Sequence, residues 1–146
     1  MKQALKNYII TQVGRAPEGI DQVLDAFRPV SAKKNEVLVE MGDISRNCYF
    51  IVSGCLKITT FNLNGDECST NLAFDNEWRT AMSSFINQQS SNERIVAVEA
   101  TELLAIDRHT FKQFADQPGH FSQIYQQLLE ESYTQSTERV QTLMSM

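Results

Sequence analysis

The sequence predicts a mainly β domain with flanking helices: an antiparallel β roll, or jelly roll, followed by a long C-terminal helix. Three observations carry this. From residue 29 to residue 106 the apolar residues come in short runs, several alternating with period two, punctuated by Gly, Pro and Asn. Asn64-Gly65 stands between two of these runs, and both residue types tolerate positive φ, as a hairpin loop requires. Both ends of the chain instead space their apolar residues three and four apart, the helical period. Helices around about eight short strands fit a rolled antiparallel sheet with helices at each end.

Taken in order, Leu5, Tyr8, Ile9 and Val13 mark one face of a helix over residues 2–13, ended by Gly14. Pro17 and Gly19 mark a loop, and Ile20, Val23, Leu24 and Phe27 resume the helical pattern. Pro29 and Lys33-Lys34-Asn35 break the next runs. Val37–Val39 reads as a strand closed by Gly42. Tyr49–Val52 is wholly apolar, Gly54 interrupts it as a bulge or tight bend would, and Leu56, Ile58 and Thr60 alternate with polar neighbours. The Asn64-Gly65 pair reads as a two-residue hairpin loop that returns the chain as a strand from Glu67 to Phe74. In residues 76–87, Trp78, Met82, Phe85 and Ile86 take helical spacing. Arg94–Ala100 and Leu103–Ile106 read as two strands with a turn at Ala100–Glu102. Asp107 is placed to N-cap a short helix holding Phe111, Phe114 and Ala115. After Pro118-Gly119, the residues Phe121, Ile124, Tyr125, Leu128, Val140 and Leu143 make the apolar stripe of a long amphipathic helix. Such a helix could lie along its own sheet. It is too long for so small a domain to cover, so we take it as one half of an intermolecular helix pair and the chain as a homodimer. The expected divisions are 1–28 (N-terminal helices), 29–117 (β roll) and 118–146 (dimerisation helix).

Composition narrows the function. The 146 residues suit one domain, 42% hydrophobic and 21% charged. The formal charge is -5, from 13 Lys+Arg against 18 Asp+Glu, which argues against broad contact of these residues with nucleic acid or an anionic membrane. No window approaches a membrane span, and the opening stretch has neither a long apolar core nor an A-x-A site, so we expect a cytoplasmic protein. Cys48, Cys55 and Cys68 form no CxxC, so neither a disulfide framework nor a zinc ribbon is suggested. They cannot supply the four thiolates of an iron–sulfur cluster. The histidines, His109 and His120, both fall in the helical C-terminal part, away from the strands where an oxygenase-type metal site would form. No metal, no resident cofactor and no enzymatic activity is expected.

The stretches "EVLVEMGDISRNCYFIVSGCLKI", "NLNGDE" and "ATELLAIDRHTFKQF" resemble the cyclic-nucleotide-binding domain of the Crp/Fnr transcription regulators, over roughly residues 20–146. The resemblance implies a β roll, a long dimerisation helix and then a winged helix-turn-helix that reads DNA. A further module of that kind needs at least ~50 residues beyond Met146. We therefore expect a truncated regulator that meets DNA through a domain absent from this sequence. A stand-alone β-roll domain binding another small molecule or a protein partner is the alternative.

In that family a Gly-Glu-Leu opens a short helix and an arginine follows, so that helix N–H groups and a guanidinium fork hold the phosphate. Register through Ala100–Leu104 puts Ser91 at the arginine position and Ala81-Met82 at the Gly-Glu position. Arg94 comes three residues late, and an odd shift along a strand turns a side chain to the opposite face. There it would be an exposed charge, paired with Glu93 or Glu99. Glu77 and Arg79 come early and lack the adjacent glycine. Arg79 would lie near the start of the 76–87 helix, where an anion can bind, and Trp78 could fill a vacated pocket. Glu77, Trp78, Arg79, Ser91 and Arg94 are thus the pocket candidates. Cyclic AMP or another nucleotide is disfavoured as ligand, and the effector is left unassigned.

Overall fold

The computed structural model describes residues 1–16 and 18–116. Leu5 and Ile9, one helical turn apart, are both buried and give α1 (Lys2–Val13) its inward face. Gly14 ends it at φ 89°, its N–H bonded to the Ile10 carbonyl, a conformation that suits glycine best. α2 (Ile20–Ala26) buries Ile20, Val23 and Leu24. The strands follow: β1 (Arg28–Ala32), β2 (Val37–Val39), β3 (Asn47–Ser53), β4 (Leu56–Phe61), β5 (Glu67–Ala73), β6 (Trp78–Arg79), β7 (Glu93–Ala97) and β8 (Thr101–Asp107). α3 (Met82–Asn87) lies between β6 and β7, and α4 (Arg108–Ala115) follows β8. Asp107 caps α4, its carboxylate accepting from the Thr110 N–H at 2.9 Å.

The strands form two antiparallel sheets, ordered β1-β8-β3-β6 and β2-β7-β4-β5. The two orders match position by position. β1 turns into β2, β3 into β4, β5 into β6 and β7 into β8, so each strand is joined directly to the one at the same position in the other sheet. This is a β roll, with its short turns gathered at one end. Gly54 makes the β3–β4 bend at φ 129°, and a Cβ there would collide with Thr101 Oγ1. That close approach lets the Cys55 N–H donate to the same oxygen at 3.2 Å.

Period-two alternation splits the apolar residues between two cores. Tyr49, Ile51, Leu56, Ile58, Ile95 and Leu103 meet between the sheets. Phe50, Trp78, Leu104 and Ile106 point the other way and are covered by Leu5, Ile9, Leu24, Phe85 and Phe111 from the helices and by Phe27 just after α2.

Three local expectations are corrected. Residues 76–87 are not one helix. Trp78 and Arg79 form a strand opposite Phe50 and Tyr49, and only Met82–Asn87 is helical. The helical spacing of Trp78 and Met82 was coincidental, because burial of Trp78 among aromatic rings on the sheet decides its conformation. The β4–β5 connection is also longer than Asn64-Gly65. Asn62 N–H donates to the Asp66 carbonyl and Gly65 N–H to the Asn62 carbonyl, leaving Gly65 at φ 84°. This is a three-residue loop whose positive-φ glycine makes a bulge. The β7–β8 turn occupies 98–100, so Thr101 and Glu102 already belong to β8. The predicted dimerisation helix, with Phe121, Ile124, Tyr125, Leu128, Val140 and Leu143, lies outside the described residues, as does His120.

Candidate functional site

The segment that would hold a phosphate runs from α3 into β7, and its polar groups are bonded to the Asp43–Asn47 loop. Ser45 N–H donates to Ser84 Oγ at 2.8 Å, and the Gln88 side chain donates to the Ser45 carbonyl at 3.2 Å. Thr80 Oγ1 donates to the Asn47 carbonyl at 2.9 Å and lies 3.1 Å from Ser45 Oγ. At the C-terminal end of α3, the Arg108 Nη2 donates to the Ile86 carbonyl at 3.0 Å.

Ser91 is buried in the loop just ahead of β7. Its N–H donates to the Asp43 carbonyl at 2.7 Å, and its carbonyl accepts from Gly42 N–H at 2.8 Å. Its hydroxyl lies 2.9 Å from both the Glu93 N–H and the Glu93 carbonyl. Arg94 stands on the outer face of the second sheet, since its neighbours Ile95 and Ala97 alternate into the roll as the inter-sheet core requires. Its partner is Glu40, not Glu93 or Glu99. Arg94 Nε donates to Glu40 Oε1 at 2.8 Å, and the guanidinium lies 5.5 Å from the Phe61 ring centroid. The hydrogen bond from Arg94 holds the Glu40 carboxyl below its ordinary range.

The adjacent candidates diverge because they share a strand. Trp78 packs among Phe50 (centroids 4.9 Å), Phe27 (5.8 Å) and Tyr8 (6.0 Å) on the helix side of the sheet. It therefore does not fill the space between the sheets. Its indole N–H is buried without a hydrogen-bond partner. Arg79 alternates to the inner side, as its pairing with Tyr49 and the inward placement of Ala81 require. It is the one charged side chain buried among the described residues. Its Nη1 donates to the Trp78 carbonyl at 2.6 Å, and its Nη2 lies 3.9 Å from Glu77 Oε2. Glu77, half-buried, also accepts from the Phe74 N–H. Burial raises the Tyr49 hydroxyl above its usual pKa.

The sequence reading missed Asn71. It pairs with Ile58 on β5, and its Oδ1 is buried without a hydrogen-bond partner. Inward alternation along Glu67, Ser69, Asn71 and Ala73 was legible, but the overlong hairpin left its register open. Among the described residues no group of three or more His, Cys, Asp or Glu is placed to hold a metal, and no helix is long and apolar enough to cross a membrane.

Residues 29–118 match the family model described as "Cyclic nucleotide-binding domain". The chain is 30% identical over 98 residues to the cyclic AMP receptor protein of Thermus thermophilus, across 67% of this chain and 45% of the relative. It thus spans less than half of that relative's length. The crystal structure of the Thermus thermophilus catabolite activator protein superposes with a TM-score of 0.72 at 23% identity, over 93% of this chain and 62% of that one. The regulatory domain of Toxoplasma gondii PKA with cAMP also gives 0.72, at 17% identity over 92% and 48%. These likenesses below 25% identity agree with the fold.

Proposed function

Because the chain belongs to the cyclic nucleotide-binding domain family, we propose that it is the sensory and dimerisation part of a Crp/Fnr-like transcription regulator and does not bind cyclic nucleotide through the usual cassette. The observation that carries this is Ser91. It stands where the family's arginine clamp is expected, and its N–H, carbonyl and hydroxyl are all engaged with Asp43, Gly42 and Glu93. The start of α3 adds to it. Ala81 and Met82 replace Gly-Glu, and the side chain that would accept from a ribose hydroxyl is missing there.

In this reading the roll biases a pair of C-terminal helices, and that pair sets the spacing of two DNA-reading modules outside this sequence. Isothermal calorimetry of the full chain with cyclic AMP and cyclic GMP tests the cassette. No binding in the micromolar range is expected, and micromolar binding of either nucleotide overturns the reading. Sedimentation tests the pairing. Val140→Asp with Leu143→Asp should convert a dimer into a monomer, and an unchanged profile refutes the helix pair.

A further inference from the structure

We propose that the edge strand β5 pairs antiparallel with β5 of a second copy of this chain, about a two-fold axis at Thr70, so that two rolls join through one continuous sheet. This contact is separate from the helix pair and does not depend on it.

The four sheet edges are not alike. An edge strand offers unpaired N–H and C=O groups to another chain, and proteins blunt such edges with proline, charge or brevity. β1 contains Arg28 and Pro29, β2 has three residues and β6 has two. β5 has seven, and among the described residues it pairs with β4 alone. From Cys68 to Phe74 the chain holds no proline and no charge. Ser69–Ala73 keep unbroken register with Leu56–Thr60, the irregularity being confined to the hairpin end. Leu72 is 46% exposed, and Phe74, just past the strand, is 54% exposed. This edge is long and regular, and it lacks the devices that guard the other three.

Register and charge identify the occupant. Along an antiparallel strand, alternate residues turn their amides to the free edge. A strand can therefore pair with its own copy only where residues of like parity stand opposite. Thr70 is the middle residue of Glu67–Ala73, so an axis there meets that condition and pairs the strand over its full length. Cys68 of one copy then stands opposite Leu72 of the other, and Glu67 opposite Ala73, so no like charges meet. Lys57 pairs with Leu72 on β4. It comes within about two strand spacings, ~10 Å between backbones, of Glu67 in the second copy, a gap that two long side chains can span. Both Lys57 and Glu67 are exposed, and among the described residues neither makes an ion pair in its own chain. The two-fold axis forms this pair twice. One strand edge buries less than the ~1,600 Å² of a standard interface, so the contact is weak and forms at high protein concentration.

Disulfide cross-linking of the full chain, at millimolar protein and low salt, reads the contact, since opposed residues of paired strands lie within disulfide range. With Cys68→Ser, Thr70→Cys should give a covalent dimer on mild oxidation roughly tenfold faster than Asn64→Cys, which reports chance encounters from the exposed hairpin loop. Leu72→Cys should cross-link while Cys68 is kept and fail to do so with Cys68→Ser, because those two residues stand opposite. Lys57→Glu should slow the Thr70→Cys link several-fold, and adding Glu67→Lys should restore it. The link should persist with Val140→Asp and Leu143→Asp. Dilute sedimentation, where the edge contact is dissociated, reads the helix pair, so either reading can fail without the other. Equal rates for Thr70→Cys and Asn64→Cys overturn the proposal and leave the edge to the strand of a different protein. A Leu72→Cys link that is indifferent to Cys68 overturns it as well.

Discussion

Arg94 Nε lies 2.8 Å from Glu40 Oε1, tying β7 to the residue that follows β2 while the guanidinium covers the Phe61 ring. Both side chains are 41% exposed, so solvent and salt screen the pair. Glu40 has a lowered pKa, caused first by the Arg94 hydrogen bond. The stabilisation is therefore present above the unfolded carboxyl pKa and is lost as pH falls through the lower folded value. Arg94→Gln should reduce the thermal midpoint slightly at neutral pH and low salt. Wild type and variant should converge in acid and in high salt. A gap that persists in acid would show that the arginine acts through packing on Phe61 instead.

Asp107 gives a sharper case. The Thr110 N–H, foremost, and the Thr110 hydroxyl hold its carboxyl below the usual range. Asp107→Ala should cost about 1 kcal/mol at neutral pH by urea unfolding. Since a depressed pKa adds stability only where the group is ionised, the difference should shrink as pH falls through the folded value. Asp107→Asn, which keeps an acceptor without the charge, should recover much of the loss and show no such pH dependence.

Gly54 combines φ 129° with the approach of Thr101, whose Cα would lie 2.8 Å from a new Cβ. Backbone cannot swing aside as a flexible side chain can. Gly54→Ala is expected to destabilise by about 3 kcal/mol, with an unchanged dependence on denaturant. Gly65→Ala, at φ 84° with open space around it, should cost less. Equal losses would mean that strain in φ, and not the Thr101 contact, dominates at Gly54.

The cysteines should differ in reactivity. Burial pushes the Cys48 thiol up to about 12, and burial also raises Cys55, whereas Cys68 is exposed on the edge strand β5. Thiolate is the reacting form. Iodoacetamide at neutral pH should label Cys68 first and leave Cys48 unmodified until the chain unfolds, as peptide mass spectrometry would show. Early labelling of Cys48 would mean that the helix-side core opens readily.

How far the sequence could be read depended on the range of the interactions involved. Local rules located Gly14 at the end of α1, Asp107 at the start of α4 and Gly54 at the β3–β4 bend, because each answers first to its own backbone conformation or to a neighbour within four residues. They also led to the roll, since period-two alternation separates Phe50 from Ile51 wherever the strand ends up. Local rules misread Trp78 and Arg79 as helical, because what holds them is Phe50 and Tyr49, nearly thirty residues earlier in the chain. The partner of Arg94 was equally out of reach. Glu40 is 54 residues away, and charge pattern alone favoured the adjacent Glu93 and Glu99.

The sequence by itself determined the class of fold and the elements with strong local punctuation. Only the tertiary structure decided which polar residues share a space. Arg94 meets Glu40, and Arg79 lies opposite Tyr49, through strand order and register, which no short stretch of sequence encodes.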